Sequence, residues 1–168
     1  MTLATTWIND KEKFSTSLEE LMPIISRQLA EGKSVRFTPT GNSMAPMLRH
    51  NEDVVILSSL PEELNLYDLV LYKRDSGSYV LHRIVGTFET SNDAAKLSYI
   101  MLGDNQYTKE YGIDHSQIIG VVTSFVRDGR EHSVEENGYK AYCRVWYHSR
   151  HFRYFWLRVK NKLKRMIR

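Results

Sequence analysis

Between Ser34 and Val126 turn-forming residues interrupt the chain at short intervals, and no helix-length amphipathic pattern fits between the interruptions. The segments left over are short and rich in β-branched and aromatic residues: Ser34–Thr38, Asp53–Leu57, Asp68–Lys73, Tyr79–Thr87, Leu97–Leu102 and Ile118–Arg127. Pro61-Glu62, Asp75-Ser76-Gly77, Asn92-Asp93 and Asp128-Gly129 separate or end them. Glycine supplies positive φ, proline presets its own φ, and Asp or Asn bonds its own backbone, so each group is a turn with a mechanism. Parallel strands need long crossovers, for which these connections leave no room. The pattern predicts a mainly β, antiparallel domain over residues 34–140.

The flanks read as helix. Over Ser17–Glu31, Leu18, Leu21, Met22, Ile25 and Leu29 share one helical face, Ser17 and Glu20 form a capping-box pattern, and Gly32 is placed to stop the helix. This defines an N-terminal helical segment, residues 1–33, in which Pro23 kinks or delays the start. Residues 141–168 form a C-terminal amphipathic helix: Phe152, Phe155, Trp156, Val159, Leu163, Met166 and Ile167 project into one stripe at about 100° per residue. Nine of the 23 Lys and Arg residues fall in Ala141–Arg168, with no Asp or Glu, leaving 14 basic against 20 acidic side chains in the rest. A mildly acidic body thus carries a strongly basic tail.

Apolar residues at 42% and charged residues at 26% describe a globular chain rather than a disordered one. The single cysteine, Cys143, excludes an intramolecular disulfide and a cysteine-based metal cage, and fits a reducing compartment. Met1–Asp10 has no basic-then-apolar signal pattern, and no window approaches the roughly 18 apolar residues of a membrane span. The expectation is a cytoplasmic protein, at most peripheral on the inner face of a membrane. His50, His115, His132, His148 and His151 lack metal-ligand spacing with acidic partners, so neither metal nor other cofactor is expected.

Three segments could carry chemistry. Thr40-Gly41-Asn42-Ser43-Met44-Ala45-Pro46 is a tight turn presenting a serine after a strand, and such a turn supplies both an exposed hydroxyl and nearby N–H groups for an oxyanion. Leu81-His82-Arg83-Ile84 places an imidazole inside an apolar strand, and Gly103-Asp104-Asn105 is an acidic turn after another strand. Serine, imidazole and carboxylate are the three roles of an acyl-transfer site. Strand alternation turns Arg83 away from His82, toward a surface carboxylate.

Gly41-Asn42-Ser43-Met44-Ala45-Pro46 resembles the G-x-S-M-x-P nucleophile motif of the signal peptidase I and LexA-type serine peptidases. Leu81-His82-Arg83-Ile84-Val85 is similar to the strand carrying their general base, in the His-Arg form of the archaeal and endoplasmic-reticulum enzymes. Gly103-Asp104-Asn105 and Ile118-Ile119-Gly120-Val121-Val122 resemble the G-D-N and I-I-G-x-V segments that follow. The resemblance implies a serine endopeptidase with Ser43 as nucleophile, His82 as base, and the Ser43 N–H as oxyanion donor within the loop Gly41, Asn42, Ser43, Met44. Gly41 stands where some bacterial enzymes add a serine donor. Met44 and Pro46 are expected to shape the turn and line a substrate pocket. For the third member, Asp104 is preferred because Gly103 fixes its turn, although tying down that turn would also explain it. The family spacing, six residues beyond that Asp, lands on Glu110, the alternative; Asp114 is a more remote third.

The resemblance also marks departures. Type I signal peptidases carry a transmembrane anchor that is not found here, and LexA-type repressors cleave themselves at Ala-Gly or Cys-Gly, neither of which occurs. The expected activity is therefore cleavage of a precursor or leader segment, with a peptide or protein substrate held extended along a strand edge. The rival readings are a non-catalytic peptide- or partner-binding module on the same fold and a transcriptional regulator using the basic tail. Residues 144–168 suit an anionic membrane surface, with packing on the domain as the alternative and nucleic acid the least favoured partner.

Overall fold

The computed structural model describes residues 18–89 and 97–166. It is a mainly antiparallel β structure with one helix before the strands and two after them. Helix α1 spans Leu18–Ala30 and buries Met22, Ile25 and Leu29, the face the periodicity selects. It ends where Gly32 adopts φ +71° and donates to Leu29 O at 2.9 Å. Ser17, and with it the expected capping box, lies outside the described residues, as does the Asn92-Asp93 turn.

Strands β1 (Val35–Phe37), β2 (Val54–Ser58), β3 (Leu69–Lys73), β4 (Tyr79–Glu89), β5 (Leu97–Leu102), β6 (Glu110–Asp114), β7 (Ile118–Arg127) and β8 (Arg130–Ser133) form one sheet. Their order is β1-β2-β7-β3-β4-β5-β6, with β8 on β7. Six of the eight fall on expected runs. β6 and β8 are additions: Glu-Tyr-Gly-Ile-Asp is short and interrupted by Gly112 at φ +78°, Arg-Glu-His-Ser has no apolar residue, and both are held by a partner strand, β5 and β7 respectively.

Alternation along β3 and β4 separates two cores and thereby two faces of the sheet. Leu69, Leu71 and Leu81 join Met22, Ile25, Leu29, Leu57 and Val122 under α1. Val70, Tyr72 and Ile84 join Tyr99, Met101 and Ile113 on the other side. Register pairs Val70 with His82 and Leu69 with Arg83, so the two consecutive polar residues of β4 project to opposite faces.

The expected single C-terminal helix is in fact two. Helix α2 covers Asn137–His148 and α3 covers Arg150–Met166, with Ser149 between them. Among the described residues no helix is long and apolar enough to cross a membrane. Helix α2 packs on the Arg83 face, burying Cys143.

Candidate active site

Ser43 sits in the loop between β1 and β2, and that loop is held from several directions. Gly41 has φ +91°, a left-handed conformation that favours glycine, and its N–H donates to His50 Nδ1 at 2.7 Å. Beneath the loop Met44, Met47 and Leu48 are buried in the α1 core. At its far end the fully buried Asp53 accepts from the Arg49 N–H at 2.9 Å and from the guanidinium groups of Arg49 and Arg127. Arg127 also donates to Met47 O at 2.6 Å. These bonds tie the loop across itself and, through Arg127, to the body of the domain.

The loop meets the Gly103-Asp104-Asn105 turn directly. The Asn105 N–H donates to Ser43 O at 2.8 Å, and the Asn105 side chain to Asn42 O at 3.1 Å. Gly103 is the point of closest approach: a β-carbon there would lie 2.7 Å from Ser43 O and 3.0 Å from His82 Nε2. Neither the N–H nor the hydroxyl of Ser43 is used in a hydrogen bond among the described residues, which leaves both for a ligand.

His82 is fully buried. Its Nδ1 lies 3.2 Å from Glu110 Oε1 and 3.2 Å from the Tyr72 hydroxyl oxygen. Tyr72 donates its own proton to Glu110 Oε2 at 2.9 Å, so the hydroxyl oxygen is free to accept from Nδ1–H. Arg74 grips the same carboxylate through two nitrogens, Nε at 2.7 Å and a second contact to Oε1. Two acceptors at Nδ1 place the ring proton there and leave the lone pair on Nε2. Among the described residues Nε2 has no hydrogen-bond partner, and it faces the Gly103–Ser43 junction. The Ser43–His82 hydrogen bond is not formed in this conformation.

Burial pushes the His82 imidazole down to about 4; the Glu110 carboxylate opposes that fall and Arg74 adds to it. The ring is therefore a neutral base at neutral pH. Burial works to raise the Glu110 carboxyl, but the Arg74 and Tyr72 donors outweigh it and hold the group below its ordinary value.

Asp104, the preferred third member, is not at His82. Its carboxylate is held bidentately by Arg83, with Nε–Oδ1 and a second N–O contact both at 2.9 Å, and accepts from the Tyr142 hydroxyl at 3.2 Å. Trp146 Nε1 donates to Asp104 O at 2.8 Å. Arg83 is correspondingly buried, not paired at the surface, and also donates to Tyr67 O, Tyr139 Oη and Cys143 Sγ. The reason is the face: Asp104 reaches the Arg83 side of β4, and Glu110 the His82 side. Asp114, the third option, caps the 3-10 turn His115–Gln117.

Met44 is 5% exposed and supports the loop from inside the core. Pro46 is exposed and borders a groove of about 270 Å³ with Phe125, Arg127, His132 and Tyr139. Tyr72 and Arg74 were not singled out in the sequence. The available signal was the Asp75-Ser76-Gly77 hairpin, whose closure at Arg74 and Ser78 sets the β3–β4 register and brings Tyr72 diagonally beside His82. No cluster of three or more potential metal ligands occurs among the described residues.

Comparison with protein-family models and with curated proteins gives no match to this chain.

Proposed function

We propose that this chain is a serine endopeptidase of the signal-peptidase/LexA type that cleaves a peptide bond in a precursor or leader segment, with Ser43 as nucleophile, His82 as general base and Glu110 as the acid that orients the imidazole. The observation that carries the reading is the buried imidazole whose Nδ1 is committed to Glu110 and Tyr72 while its bare Nε2 faces the Ser43 loop. In this mechanism the Ser43 hydroxyl oxygen attacks the scissile carbonyl carbon and its proton passes to His82 Nε2. The oxyanion is stabilised by the uncommitted Ser43 N–H. The C–N bond then breaks, Nε2 returns the proton to the leaving amine, and water activated by the same nitrogen hydrolyses the ester. Glu110 stabilises the transient imidazolium, and closure of Ser43 onto Nε2 accompanies substrate binding.

The unformed Ser43–His82 bond favours one second reading, a non-catalytic peptide-binding module on the same fold. Incubating the purified protein with a proteome-derived peptide library separates the two. New termini made by the wild type and lost in both Ser43→Ala and His82→Ala support the peptidase. Peptides retained uncut by a folded wild type would support the binding module.

A further inference from the structure

Amphipathic helices on a globular domain bury their apolar stripe against the core. Helix α3 does the reverse. The side it turns toward the rest of the chain carries Arg153 and Tyr154. The Arg153 guanidinium lies 3.3 Å from the centroid of the Trp146 ring and donates to Trp146 O at 2.6 Å. The Tyr154 ring stacks at a tilt on Tyr107, with centroids 4.7 Å apart. Phe152, Phe155 and Trp156, by contrast, are 66%, 61% and 51% exposed. Those three positions lie at the i, i+3, i+4 spacing of a single stripe.

The charge is one-sided as well. Arg150–Met166 contains seven Lys or Arg residues and no Asp or Glu. Single-stranded nucleic acid is gripped by aromatic and basic residues that share one groove, so that bases stack where phosphates are neutralised. Here the Arg153 guanidinium is instead engaged by the Trp146 ring and carbonyl of the chain itself. Segregated aromatic and cationic faces are what the boundary of an anionic bilayer selects: aromatics enter the acyl boundary while long cationic side chains stay with the headgroups.

We infer that α3 is a peripheral membrane-docking helix that seats Phe152, Phe155 and Trp156 in an anionic lipid surface. The domain stays attached through α2, whose Trp146 joins α3 at Arg153 and the Gly103-Asp104-Asn105 turn at Asp104 O. Docking therefore tethers the domain to the bilayer surface through α2, and the inference does not depend on Ser43 being catalytic.

The test is flotation of the full chain with vesicles of phosphatidylcholine alone or with phosphatidylglycerol added. The wild type should float with the phosphatidylglycerol vesicles, less so at high salt, and the Phe152→Ala/Phe155→Ala/Trp156→Ala triple variant should partition about tenfold more weakly. Because these side chains are exposed, the variant should keep the wild-type circular dichroism and melting temperature, which are measured alongside. Failure of the wild type to float on anionic vesicles, or equal flotation of the folded triple variant, would overturn the inference. So would a wild type that ignores vesicles but binds a single-stranded oligonucleotide, or dimerises in sedimentation, through the same three residues.

Discussion

Glu110, not Asp104, faces His82: Nδ1 of the imidazole lies 3.2 Å from Glu110 Oε1, on the side of β4 opposite the Arg83–Asp104 pair. Two acidic residues close to one strand thus hold different stations, one beside the candidate base and the other beneath the sheet. That division separates catalysis from stability in a way mutation can read.

Glu110→Gln should lower the cleavage rate about a hundredfold while the fold persists, since Arg74 is partly exposed and can find water. Asp104→Ala should instead strip the buried Arg83 of its charge partner and cost about 3–5 kcal/mol. Urea titration beside a cleavage assay distinguishes the two. If Asp104→Ala were stable and Glu110→Gln fully active, the assignment of the acid would be wrong.

The pH dependence follows from His82. With the imidazole pushed down to about 4, cleavage should already be on its plateau at pH 6, where a free histidine with a pKa of about 6.5 would still be half protonated or more. The same shift makes stability fall on acidification. Between about pH 6.5 and pH 4 the unfolded chain takes up a proton that the folded chain refuses, so up to about 3 kcal/mol is lost as pH drops through that window. Glu110, whose folded value is lowered, contributes loss of the same sign at more acidic pH. A pH–rate profile and melts in His82→Gln, which removes the ring's titration, measure both effects.

Gly103→Ala should disable the site without replacing a reacting group. Its new carbon would lie 2.7 Å from a main-chain oxygen, Ser43 O, as well as 3.0 Å from Nε2, so the loop must move. A shift of about 1 Å between nucleophile and base costs about a hundredfold in rate. Wild-type activity in Gly103→Ala would mean that Ser43 and His82 do not work across this junction.

Tyr72→Phe removes one acceptor at Nδ1 and one donor to Glu110 while keeping the buried ring. A smaller loss is expected, about tenfold, with the acidic limb of the pH profile displaced from that of the wild type. A change in binding strength alone, with an unaltered profile, would remove Tyr72 from the imidazole's support.

Most of the fold was legible because its signals are local. β5 and β7 begin and end at the residues their runs suggest, and α1 buries the face its spacing selects. β6, interrupted by a glycine at positive φ, and β8, with no apolar residue, were not, since only their partners hold them. The break at Ser149 was hidden for a related reason: one continuous stripe suggested one helix, while packing of Cys143 and Trp146 against the Arg83–Asp104 pair pins α2 separately. In the site, Ser43 and His82 stood out as a turn serine and a strand imidazole. Choosing between Asp104 and Glu110 required knowing which face of β4 each carboxylate reaches, and that is a property of the β3–β4–β5 register, not of any segment alone.

The most direct measurement of the central claim is a comparison of protein N-termini in cells carrying the wild type or Ser43→Ala at equal expression. The account predicts a set of N-termini present only with the wild type, sharing residues around the cut, and absent again in His82→Ala. Identical N-termini in all three, with each protein folded, would contradict it and leave the chain a binding module.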